Sequence, residues 1–136
     1  MPPVDRDPHG FPIDEQEGGS YLATVTDDLG AMIPGSDLTG LTLTLWVVRQ
    51  DGSTAIVNSR NHQNVLNQNH VTVYNTLQTL TDGRTYNLRW KIQPGDTTLV
   101  EAVPFERHKF LFEWTSAQVQ GKHENTLVVR NLQMVP

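Results

Sequence analysis

Residues 40–50 read GLTLTLWVVRQ, and this stretch decides the fold class. Leu41, Leu43, Leu45 and Val47 fall on one side of an extended chain. Thr42, Thr44, Trp46 and Val48 fall on the other. A period of two with β-branched residues is a strand signature. One wholly apolar face and one mixed face fit a sheet packed on one side. Asp51-Gly52 follows at once and is a strong hairpin signal, so Thr54 to Val57 reads as the return strand. The same pattern recurs on both sides. Tyr21, Ala23 and Val25 alternate with Leu22, Thr24 and Thr26 before a turn at Asp27-Asp28-Leu29-Gly30. Val71 to Tyr74 resumes strand character, and Thr81-Asp82-Gly83-Arg84 is another turn. In Thr85–Ile92, Tyr86, Leu88, Trp90 and Ile92 form the buried set, with Asn87, Arg89 and Lys91 facing outward. Gln93-Pro94-Gly95-Asp96 ends that strand, and Leu99 to Pro104 reads as a helical turn or a corner. Phe110, Phe112 and Trp114 alternate with Lys109, Leu111 and Glu113, and Glu124 to Val129 closes the sheet. Asn58 to Gln68 is polar and reads as a long loop with Val65 and Leu66 tucked in.

About seven short strands, regular turns and no helix imply an all-β fold, an immunoglobulin-like antiparallel β-sandwich. A jelly roll is the runner-up. The chain has 136 residues and no cysteine, so a core must form without disulfides or thiolate metal sites. Trp46, Trp90 and Trp114 are expected to fill that core. The sandwich is assigned to residues 20–136. Residues 1–19 are rich in proline, glycine and acid and are expected to run as an extended arm, because proline fixes φ and donates no backbone hydrogen bond.

Charge separates the two parts. The first 28 residues hold seven acids and one base, for −6; the rest hold eight acids and nine bases, for +1. An acidic end repels phosphate, so no nucleic-acid partner is expected. The plain reading of the acidic end is a solvated terminus, and the alternative is an arm docked on a basic neighbour. No segment is long and apolar enough for a membrane span, and no secretory signal is expected.

Motifs for chemistry are missing. No serine lies in a G-x-S-x-G elbow, and there is no phosphate-cradling glycine pattern. The histidines are scattered; Glu106, His108, His123 and Glu124 could approach one another if the last two strands pair, but a surface pair of no consequence is the expected outcome. Asp27-Asp28 is too short for a calcium loop. Glu101, Glu106 and Glu113 offer no preferred glycosidase pair. Arg84, Arg89 and Lys91 beside Tyr86 and Trp90 read as a solvated strand face or a contact for an acidic neighbour. No catalytic residue, metal or cofactor is expected.

Five pieces carry a family resemblance: TVTDDLGAMIPGSDLTGLTLTLWVV from Thr24, IVNSRNHQNVLNQNHVTV from Ile56, RWKIQPGDTTLVE from Arg89, HKFLFEWT from His108 and GKHENTLVVRNLQMV from Gly121. Their order resembles the small immunoglobulin-like structural proteins of tailed bacteriophages and prophages. The TVYNTLQTLTDG stretch from Thr72 and the proline-rich arm lie outside that pattern. The resemblance implies a non-enzymatic virion protein, made in the bacterial cytoplasm and present in several copies or as a homo-oligomer. Its implied partners are other virion proteins of the capsid, neck or tail. An accessory role on the capsid or head–tail junction is the first expectation, with the arm as attachment device and Val4, Phe11, Ile13, Asp14 and Glu15 as its contacts. A tail or baseplate component is one alternative. A carbohydrate-binding sandwich using Tyr74, Tyr86 and Trp46 is the other.

Overall fold

The computed structural model describes residues 13–14, 19–117 and 119–132. Among these, nine strands are present: β1 (Ile13–Asp14), β2 (Gly19–Ala23), β3 (Leu38–Val48), β4 (Thr54–Ile56), β5 (Gln63–Asn64), β6 (Val71–Thr79), β7 (Thr85–Ile92), β8 (Phe105–Ser116) and β9 (Gln120–Arg130). They form two sheets. The larger runs β1-β9-β8-β3-β4, with β5 also on β3; the smaller runs β2-β7-β6. All pairings are antiparallel except β1 with β9, where Ile13 lies beside Val129 and Asp14 beside Arg130 in parallel. The protein is an all-β sandwich, as the alternation implies. Seven strands have three or more residues, and two very short ones, β1 and β5, add to the larger sheet.

The core is built from the inward side chains of both sheets. Leu41, Leu43, Leu45 and Val47 of β3 are buried, as are Phe110, Phe112 and Trp114 of β8. Opposite them stand Tyr21, Leu88, Trp90 and Ile92 from the smaller sheet. The Trp90 ring meets Phe110 at 5.1 Å and Phe112 at 5.7 Å, edge to face in both cases. Such T-shaped contacts add about 0.5–1.5 kcal/mol each beyond area burial. Among the described residues, Trp90 Nε1 is the buried side-chain polar atom without a hydrogen-bond partner.

Several local expectations are corrected. Trp46 is half-buried on the outer face of β3, not in the core, because its inward neighbours Leu45 and Val47 take the core positions. Asn87 does not face solvent. It is buried, accepts from Val25 N (2.7 Å) and donates to Ile33 O (2.8 Å), so it ties β7 to the segment after β2. Of the two readings for Leu99 to Pro104 the corner holds, with bends at 100–102 and 104, and the 3-10 turn falls upstream at Pro94–Thr97, where Gln93 and Asp96 cap it reciprocally. The polar loop after β4 buries Val65 as expected, and it also buries Arg60 and places β5 against β3. The Asp51-Gly52 turn forms, with Gly52 at φ 88°.

Candidate functional site

Polar chemistry concentrates at one end of the sandwich, where β3, β7 and β9 finish. Asp96 sits there, fully buried in the capped turn after β7. Its carboxylate accepts from Asn58 Nδ2 (2.8 Å), Gln93 N (2.8 Å), Arg60 Nη2 (3.1 Å) and Arg60 Nε. Arg60 is also buried, and its Nη1 donates to Gln63 Oε1 (2.6 Å) and to His70 Nε2 (3.0 Å). Two-pronged Arg–carboxylate geometry is what makes such a buried pair tolerable. Acceptance of the arginine N–H at Nε2 suits a neutral His70. Partial burial and then the Arg60 charge hold the His70 ring below its ordinary value of 6.5, with Asp96 acting in the opposite sense.

The Asp96 carbonyl continues the chain. It lies 2.8 Å from His108 Nδ1, and a carbonyl only accepts, so Nδ1 donates. His108 Nε2 lies 2.7 Å from Glu106 Oε1. The Glu106 carboxylate also accepts from Val100 N and Glu101 N, both at 2.8 Å. Glu101 in turn accepts from Gln50 N (2.9 Å) in the β3–β4 turn. The line Gln50–Glu101–Glu106–His108–Asp96–Arg60 therefore links three loops across the base of the sandwich.

This arrangement corrects the expectation of a surface pair at Glu106 and His108. Both are buried and fully engaged inside the fold. The pairing of β8 with β9 is as supposed, but it sets His123 opposite Phe112, not beside His108. His123 instead hydrogen-bonds the Tyr21 hydroxyl. Among the described residues no three His, Cys, Asp or Glu side chains are grouped to hold a metal ion. A His–carboxylate pair resembles part of a catalytic triad, but each His108 nitrogen already has a partner within the fold. Among the described residues, the partners of the His108 ring are the Asp96 carbonyl and the Glu106 carboxylate, not a serine hydroxyl that it could activate.

The remaining candidates fall apart in the same way. Asp27 Oδ1 accepts from Leu29 N and Ala31 N, which makes a turn. Glu113 lies 3.6 Å from the exposed His62, far along the sheet from Glu106. Arg84 folds onto Asp82 (2.8 Å), and the Arg84 backbone N–H chiefly holds the Asp82 carboxyl below its ordinary range. Arg89 Nε donates to Ser20 Oγ (3.2 Å), while Lys91 is exposed. Tyr86 is buried and meets the half-buried Tyr74 edge-on at 6.1 Å, so these rings do not present a flat platform to a sugar. Of the arm residues, Ile13 and Asp14 pair with β9. Val4, Phe11 and Glu15 lie outside the described residues.

What remains is surface. The outer face of the larger sheet carries Trp46, Val48, Ile56, Phe105, Leu111 and Val128, with Val48, Ile56 and Phe105 between 44% and 52% exposed. Sequence patterning missed this face because Thr42 and Thr44 make β3 look half polar; the cross-strand register of β4, β8 and β9 is what gathers the apolar residues. Shallow depressions of about 290–350 Å³ lie around it, one bounded by Val48, Gln50, Phe105 and Arg107. Among the described residues no helix is long and apolar enough to cross a membrane. No family model matches the chain, and neither a curated protein nor a solved structure matches it.

Proposed function

We propose that this chain is a non-enzymatic interaction module, and specifically a structural component of a tailed-bacteriophage particle. The observation that carries the non-enzymatic reading is the base of the sandwich. Its reactive side chains, Asp96, Arg60, His108 and Glu106, are all buried and each is used to tie loops together. The surface meanwhile offers a broad, partly apolar sheet face. The strand order supports the immunoglobulin-like reading. β9-β8-β3-β4 against β2-β7-β6 has the neighbour relations of the G-F-C-C′ and B-E-D strands of that sandwich. The particle itself rests on the sequence resemblance. Capsid or head–tail attachment through the N-terminal arm is the first form of the proposal, and a tail or baseplate position is the second.

The test is co-sedimentation of full-length protein, and of a version lacking Met1–Pro12, with purified capsids and with purified tails. That deletion spares β1. Binding of the full chain to one substructure, lost on truncation with folding intact, is the expected result. Equal binding by both versions removes the arm's role. Binding by neither version to either substructure removes the particle reading, and a glycan array then examines the carbohydrate alternative.

A further inference from the structure

We propose that the depression between the segment 24–37 and the β8–β9 turn is a binding site for a cationic side chain, a lysine or arginine presented by a partner protein. The proposal does not depend on the particle reading or on the arm.

The site lies at the end of the sandwich opposite the buried Arg60–Asp96 network. Its walls are Met32, Ile33, Pro34, Ala117 and Val119, and Asp27, Asp37 and Ser116 line the same space of about 330 Å³. Hydrogen bonds set both walls before any ligand arrives. Asn87, buried in β7, accepts from Val25 N and donates to Ile33 O, and Ile33 N donates to Val25 O at 2.8 Å. Trp114 Nε1 donates to Thr26 O, Asp27 N donates to Ala31 O at 2.8 Å, and Asp27 Oδ1 accepts from Leu29 N and Ala31 N. Across the gap Ser116 N donates to Val119 O (2.8 Å) and closes the β8–β9 turn. A pre-formed, mostly apolar concavity with a few fixed polar groups is the usual form of a binding site.

Charge chooses the occupant. The three loops at this end, 24–37, 80–84 and 116–120, carry the acids Asp27, Asp28, Asp37 and Asp82 and a single base, Arg84. Arg84 is already folded onto Asp82. No lysine or arginine lines the depression, and among the described residues neither Asp27 nor Asp37 has an ion-pair partner. An anion is therefore repelled. A wholly apolar group would strip water from two carboxylates without replacing it. Two carboxylates, one with an oxygen tied into a turn, are too few for calcium, and among the described residues no three His, Cys, Asp or Glu side chains group for a metal. A lysine or arginine meets both requirements. Its aliphatic stem lies along Met32, Pro34 and Val119, and its charged head reaches Asp27 Oδ2 and the Asp37 carboxylate. Leu29 stands at the tip of the same turn, 89% exposed, and offers an apolar contact to the residues that flank the cation.

The experiment is an NMR titration of the isotope-labelled full chain with acetyl-Gly-Arg-Gly-amide and its lysine counterpart, beside neutral controls in which citrulline or norleucine replaces the cation. Saturable amide shifts confined to residues 27–37 and to Ser116, Ala117 and Val119 are expected, with a Kd of ~1–20 mM, the strength of one side chain without the rest of its protein. Neither neutral peptide should produce them. Asp37→Asn should weaken binding at least ~3-fold, and so should Asp27→Asn, whose amide oxygen still accepts the turn N–H groups. The double variant D27N/D37N should abolish it. Glu124→Gln, at an exposed carboxylate on the larger sheet, should leave it unchanged. Circular dichroism and melting of each variant separate lost binding from lost fold. No shift with either cationic peptide up to ~50 mM overturns the proposal. Equal shifts with the neutral peptides, or D27N/D37N binding as tightly as the unaltered chain, overturns it equally. Shifts gathered at Glu113 and Glu124 instead would mark a general attraction of cation to acid and would overturn it too.

Discussion

The centre of the sandwich and its base are both buried, but they are held by opposite means. The centre is Trp90, Phe110, Phe112 and the leucines of β3, where burial alone supplies the stability, about 1.5–3 kcal/mol per large side chain. The base is Arg60, Asp96, His108 and Glu106, where two charged or chargeable pairs are cut off from water. Burying charge costs more than burying hydrocarbon, so the base contributes shape and connection more than free energy. It fixes three loops that no strand pairing would fix. The difference teaches where each region is brittle: the centre tolerates loss by degrees, and the base fails when one partner goes.

The largest effect should come from breaking the base. Asp96→Ala leaves the Arg60 guanidinium buried without its carboxylate, at an expected cost of about 3–5 kcal/mol in urea unfolding. Arg60→Met with Asp96→Leu should cost less than Asp96→Ala alone. A double variant as damaged as the single would show that the pair gives net stability. Next is the centre. Leu43→Ala, at a fully buried position, should cost about 2–5 kcal/mol with an unchanged urea slope, and a value near zero would mean that the core re-packs.

Gly121→Ala probes the opposite end of the sandwich. A Cβ there would stand 2.3 Å from Trp114 Nε1, which donates to Thr26 O at 3.1 Å. Displacing the indole should cost about 1–3 kcal/mol and shift tryptophan fluorescence. The smallest effect is in pH. The folded state holds His70 below its ordinary value of 6.5, so the unfolded chain takes up a proton first as pH falls. The His70 contribution is therefore complete above pH 6.5 and is lost as pH drops towards the lowered folded value. His70→Gln should flatten that part of the stability curve, and an unchanged slope would assign it to other groups.

The same contrast explains what the sequence made legible. Phe110, Phe112, Trp114 and the β3 leucines announce themselves by period two, because one strand carries the whole signal. Arg60 sits in a run that reads as solvated loop, and Asp96 lies 36 residues away in a turn that reads as punctuation. Neither residue carries a local sign of burial, since only the fold brings them together. The spacing of Gln93 and Asp96 was the available clue, as reciprocal capping at that distance fixes a turn. Trp46 and Asn87 were misplaced for a related reason. Alternation says which residues share a face, but not which face a loop then covers.

The parallel pairing of β1 with β9 has a mechanical consequence. Tension delivered through the chain before Ile13, and resisted by the chain beyond Arg130, pulls two side-by-side parallel segments in opposite directions along their length. The hydrogen bonds between them are then loaded together in shear, not peeled one at a time. A subunit tethered through both ends would lose this latch as a unit, and its yielding would be governed by the rate of rupture, not by equilibrium stability.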